Sequence, residues 1–165
     1  KKDTEPQESL DATESTQTQQ VSGSENQIVA DDTSISDLIS TWDAGKKDEA
    51  TENFLSIDWQ DASVLKQIRG FSMSEADIKS LSENEIKSIM GETTPLLGSL
   101  RKLFFHIASE AEGLASSGDK TKAEEYLSAI RKHGSSLSGS EHLQVVQMYG
   151  KAAVGYADKK LSEIK

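Results

Sequence analysis

Ile35, Leu38, Ile39 and Trp42 fall at the i, i+3, i+4, i+7 spacing that puts four side chains on one stripe of an α-helix. Comparable stripes recur to the end of the chain, and no run alternates apolar with polar residues as a half-buried strand does. The spacing predicts an all-α fold. Ser34 or Thr33 can cap the first helix, and Asp37, three residues after Ser34, approximates a capping box. Gly45 ends that helix. A second starts near Lys47 with Ala50, Phe54 and Ile57 on one face. A third covers 60–70, carries Val64, Leu65 and Ile68, and stops at Gly70.

Residues 72–91 read as two short helices in series. Ser74 with Asp77, and Ser82 with Glu85, have capping-box spacing. The next helix is expected to start at Thr94 and Pro95, because proline at the first helical position forfeits no intrahelical hydrogen bond. It continues through Leu100, Leu103, Phe104, Ile107 and Leu114 to Gly118. A helix over 120–132 follows, closed by Gly134, and the last begins near Ser138 or Ser140 and runs toward Ile164.

Charge and apolar content divide the chain. Residues 1–33 hold −6 of the net charge of −10, have 15 Ser, Thr, Gln or Asn residues, and contain none of the nine aromatic side chains. So few large apolar groups cannot offset the roughly 1–2 kcal/mol per residue lost on ordering a backbone. The segment is expected to be a disordered polar and acidic tail, followed by one helical domain over 34–165. Neither part has the clustered Lys and Arg that nucleic-acid binding requires. No apolar run approaches the roughly 18 residues of a membrane span, and the absence of cysteine excludes disulfides and thiolate metal sites.

"AGKKDEATENFLSI" (44–57) aligns without gaps to "SGDKTKAEEYLSAI" (117–130). Gly45 meets Gly118, Ala50 meets Ala123, Phe54 meets Leu127 and Ile57 meets Ile130. Glycine permits the left-handed backbone that closes a helix, and the alanine lets the second helix approach its partner closely. This run resembles the tetratricopeptide repeat, a helix–turn–helix unit of about 34 residues. Upstream, Ile107, Ala111 and Leu114 fall at core positions of that family's first helix. Glu110 stands where the family has leucine, Ser34 and Thr41 occupy core positions in the first unit, and the closing proline is missing from both. The expected architecture is therefore antiparallel helical hairpins, forming either a repeat of this type or an irregular helical bundle.

The resemblance implies a partner groove lined by first-helix residues: Ile39, Trp42, Asp43 and Glu112, with Phe105 and Ala108 alongside. Trp42 also completes the Ile35 stripe, so packing is its competing role. Trp59 lies off the second helix's stripe and is expected to cover the junction to the next helix.

Constellations with catalytic or ligating chemistry are weak. "GLASSGDKT" (113–121) nearly spells a phosphate-binding loop, but Asp119 separates Gly118 from Lys120 and no strand precedes it. His106 faces Glu110 at i+4, which with Glu112 or Asp119 makes one histidine among scattered acids rather than a metal set. "GSSLSG" (134–139) lacks the strand and final glycine of a nucleophile elbow, so Ser135, Ser136 and Ser138 read as loop hydroxyls and caps. No catalytic residue, cofactor or metal is expected. "GKAAVGYA" (150–157) is a small-residue string whose Gly150 and Gly155 each cost about 0.5–1 kcal/mol in a helix. Close packing within the chain would offset that, and so would a homo-oligomer contact through Gly150–Ala157.

The composition of the first 33 residues also resembles the tether of a bacterial lipoprotein, in which a signal peptide and lipid-bearing Cys would precede Lys1. An exported protein of the periplasm or cell envelope is expected, with a trimmed cytoplasmic chain as the alternative. The function these features favour is a non-enzymatic helical protein that binds a protein or peptide. A structural spacer or self-assembling envelope protein is the second reading, and a hydrolytic enzyme assembled from distant residues the third.

Overall fold

The computed structural model describes residues 34–164, and the expectation of disorder at 1–33 lies outside them. Among the described residues the regular structure is entirely helical. Seven α-helices run in the order α1 (Ile35–Asp43), α2 (Lys47–Ser56), α3 (Ala62–Lys66), α4 (Glu75–Ile78), α5 (Glu83–Ser116), α6 (Lys120–Leu137) and α7 (Gln144–Ile164), with a single 3-10 turn at Arg69–Phe71 between α3 and α4. No described helix is long and apolar enough to cross a membrane.

Helix starts follow the local chemistry. Ser34 caps α1 by accepting from the Asp37 N–H, and Ser74 and Ser82 form reciprocal capping boxes with Asp77 and Glu85. The Ser74 and Ser82 contacts hold the Asp77 and Glu85 carboxyls below the usual carboxylate range.

The two aligned windows share one turn. Gly45 (φ 80°) and Gly118 (φ 96°) both adopt the left-handed backbone. Gly45 N–H donates to Trp42 O and Lys46 N–H to Thr41 O; Gly118 N–H donates to Ala115 O and Asp119 N–H to Leu114 O. That pair of bonds is a Schellman cap, in which glycine avoids the steric cost of positive φ while orphan carbonyls are satisfied. Ala50, Phe54, Ala123, Leu127 and Ile130 are fully buried beyond the turns.

Four boundaries differ from expectation, three of them where burial elsewhere overrides a local stop signal. The fourth is the start of α7, which begins at Gln144 rather than near Ser138 or Ser140 because Ser138 serves as the C-cap of α6. Pro95 does not begin a helix; it sits inside the 34-residue α5. Both Pro95 and Gly91 are exposed, so the Gly91 carbonyl that loses its donor faces water. On the opposite face Ile89, Thr93 and Leu97 are buried, and Thr93 Oγ1 donates to Ile89 O at 2.7 Å. The expected helix over 60–70 is α3 plus the 3-10 turn, and Gly70 lies within that turn. It packs against Thr93, where a Cβ would collide with the threonine side chain. Gly134 does not close α6, which continues to Leu137; it is buried where α6 crosses α7. The serines expected in a loop follow suit. Ser135 and Ser136 are helical, and the Ser136 hydroxyl bonds back to His133 O at 2.8 Å.

α5 is the spine. It contacts the 3-10 turn, α1, α2, α6 and α7, and buries Leu100, Leu103, Phe104, Ile107, Ala108 and Ala111 among them. Burying each such leucine or phenylalanine contributes about 1.5–3 kcal/mol. Glu110, on that spine, accepts from Thr51 Oγ1 at 3.2 Å, while His106 Nε2 lies 3.5 Å from its carboxylate without a hydrogen bond. Trp59 does more than cover a junction. It is buried, donates from Nε1 to Phe54 O at 3.0 Å, and sets its ring 4.1 Å from that of His133.

Candidate functional site

α7 carries two apolar faces. Val146, Gly150, Ala153 and Ala157 are buried, and Gly150 lies against Gly134 of α6. The other face presents Val145, Met148, Tyr149, Ala152 and Tyr156 toward α5. Glycines bring α6 and α7 close, whereas aromatic rings space α7 from α5. Phe104 stands between them with its ring 6.0 Å from Tyr149 and 5.9 Å from Tyr156. The result is an open groove of about 430 Å³, walled on the α5 side by Leu97, Gly98, Arg101, Phe104 and Phe105. A Cβ at Gly98 would touch nothing within 4 Å, so the missing side chain keeps that wall low.

Two large hydrophobic side chains stand exposed among the described residues, Phe105 (41%) and Met148 (64%), and both belong to this groove. Phe105 is edge-on to Tyr156 at 5.2 Å, and the Arg101 guanidinium lies 5.6 Å from its ring centre. That geometry is a cation–π contact. Arg101 forms no ion pair among the described residues and is the groove's one charged wall residue.

The groove floor is wired to the core. Tyr149 OH lies 2.8 Å from Nε2 of the buried His133, whose ring also meets Phe54 at 5.1 Å edge-on. Desolvation pushes His133 down to about 3 and raises the Tyr149 phenol well above its ordinary range, so both are neutral near pH 7. A larger cleft of about 630 Å³, between 55–60 and α6, has Asp58, Glu124, Glu125 and Lys132 on its walls. It lacks exposed large hydrophobic groups.

The six residues named from sequence do not form one surface. Ile39 and Trp42 are half-buried, with the Trp42 ring 5.5 Å from His106, and Asp43 accepts from Ser99 Oγ at 3.2 Å. These three lie along the α1 side of α5. Phe105 and Glu112 face α7 instead; Glu112 pairs with Lys160 Nζ at 2.8 Å, a contact that raises the Lys160 ammonium together with Glu163. Ala108 is fully buried and offers nothing to a ligand, because its small side chain is used for close packing around α5. The sequence reading missed Met148, Tyr149 and Tyr156. Their i, i+1, i+8 placement beside Val145 and Ala152 is a second stripe on α7, a signal that the small-residue string overshadowed.

The near-phosphate loop is a helix junction, with Asp119 capping α6 by accepting from the Lys122 N–H at 3.1 Å. Gly155 is exposed with nothing near it, unlike Gly150, so only one of the two glycines marks a close helix approach. Comparison with protein-family models, with curated proteins and with solved structures finds no match to this chain.

Proposed function

We propose that this chain is a non-enzymatic interaction protein that receives an apolar-faced helix or peptide from a protein partner in the groove between α5 and α7. The observation that carries the reading is the exposure of Phe105 and Met148 on the two sides of one groove. Exposed large apolar groups gathered in a concave site, rather than scattered singly, mark docking surfaces. The mode that fits is helix-in-groove recognition, in which anchors at i, i+3, i+4 and i+7 fill an apolar trough. Arg101 adds a preference for a carboxylate on the partner, since its guanidinium supplies several donors from one planar head. The groove replaces the first-helix surface around Trp42 and Asp43 as the binding face. The Ser/Thr/Gln-rich composition of residues 1–33 supports an exported setting, in the periplasm or at the cell envelope.

The test is affinity capture from the native source with the immobilised chain, run beside Met148→Asp. A partner retained by the wild type and lost from the variant supports the proposal. Equal recovery by both chains refutes the groove as the binding face.

A further inference from the structure

His142 is buried where the loop between α6 and α7 meets the 3-10 turn, and both of its ring nitrogens point at backbone carbonyl oxygens. Nδ1 faces Phe71 O in the turn, and Nε2 lies 2.8 Å from Ser136 O near the end of α6. A carbonyl oxygen only accepts, and a neutral imidazole has one N–H and one lone pair. Whichever tautomer is present, a neutral ring sets its lone pair against a carbonyl oxygen. Only the doubly protonated ring donates at both ends. Glu141 Oε1, on the same loop, lies 3.5 Å from Nε2.

We infer that His142 is a pH-dependent latch. As an imidazolium it clips the 3-10 turn to the end of α6, and loss of its second proton frees the stretch between α2 and α5 from the α6–α7 hairpin. The surroundings leave the ring's charge to few neighbours. Trp59, Gln60, Ala62 and Leu65 share its surface cleft with Ser135 and Ser136, and none of these is charged. From α4, Glu75 Oε1 accepts from the Gln144 N–H at 2.7 Å, a second stitch between the same two parts of the molecule. Arg69, the charged residue of the turn, acts on Glu85.

The sign follows from proton count. The latched state holds one proton more than the released state, so the latch tightens as pH falls and weakens as pH rises. Release loosens the cover over Phe71 and Leu65, both buried when it is closed.

Hydrogen–deuterium exchange of the full chain at about pH 5.5 and about pH 8, corrected for intrinsic rates, reads the latch across the histidine range. Peptides spanning 64–82 are expected to lose protection about tenfold relative to α6 at the higher pH, the scale of a hydrogen bond to a charged group. His142→Gln should flatten that dependence. Nitrogen-15 spectra of the wild-type imidazoles give a readout that needs no variant: both His142 nitrogens should carry protons at the lower pH. A neutral His142 in the folded chain at that pH overturns the latch, as does an equal pH response in wild type and variant. If the variant does not fold, the imidazole spectrum decides.

Discussion

Gly134 and Gly150 meet across the α6–α7 seam with no room for a side chain on either. A methyl group at 150 would stand 2.6 Å from the Gly134 carbonyl oxygen, and one at 134 would stand 2.7 Å from that of Gly150. Both groups it would meet are backbone, which cannot swing aside. Gly150→Ala should therefore destabilise the chain by about 1–3 kcal/mol, overpacking outweighing the helix propensity gained. Gly155→Ala, at an exposed position with open space around it, should stabilise by about 0.5–1 kcal/mol. Urea unfolding of the two variants checks the pair. Equal effects would mean that the glycine contact does not set the α6–α7 spacing.

Pro95 gives a second prediction. It stands exposed within α5, where its missing N–H deprives the Gly91 carbonyl of a helical donor. Pro95→Ala restores that bond without touching the buried face, and should raise stability by about 1–3 kcal/mol. Thermal unfolding decides. A loss of stability would show that the proline ring fixes a bend on which the packing of Ile89 and Leu97 depends.

What was legible in the sequence was what local chemistry decides. Ser34, Ser74 and Ser82 start helices because a side-chain oxygen three residues from a backbone N–H needs no distant partner. Gly45 and Gly118 close them for an equally local reason, and the ungapped match of their windows appears in space as the same pair of cap bonds. Boundaries failed where distant burial prevailed. Pro95, Gly70 and Gly134 carry breaker signals, yet Thr93, the Gly70 contact and Gly150 hold the chain on its course. The groove was half legible. Phe105 was named, but α7 has two apolar stripes, and the sequence does not say which one α6 covers. Ala108 was misplaced for the same reason, since a small residue serves a groove floor and a buried seam equally well.

His133 sets the third prediction. Buried and pushed down to about 3 by desolvation, it stays neutral in the folded chain, while in the unfolded chain it gains a proton below about 6.5. Its contribution to stability is full above about 6.5 and is lost as pH falls toward about 3, at up to about 1.4 kcal/mol per pH unit. His133→Phe keeps a ring between Phe54 and Trp59 and cannot titrate. Urea unfolding across that window should give a shallower acid loss than wild type, whatever the variant's stability at neutral pH. Parallel curves would mean that His133 is not buried neutral.

The groove yields a fourth prediction about stability. Phe105→Ser and Met148→Ser remove large side chains that are already exposed, so each should change unfolding free energy by less than about 1 kcal/mol. Phe104→Ala, at a buried position between α5 and α7, should cost about 3–5 kcal/mol. Chemical denaturation separates the two classes. A large cost at Met148 would make the groove a packing defect held together by its own rim rather than a surface free to bind.

The most direct test of the groove as a docking site places a photo-crosslinking amino acid at Met148, with a second chain carrying it at exposed Glu52 on α2 as the reference. Both chains are irradiated in the native source. A discrete adduct is expected from position 148 that is absent at position 52 and disappears when Phe105→Ser is added. Adducts of the same pattern from both positions, or an adduct at 148 indifferent to Phe105→Ser, would contradict the groove as a docking site.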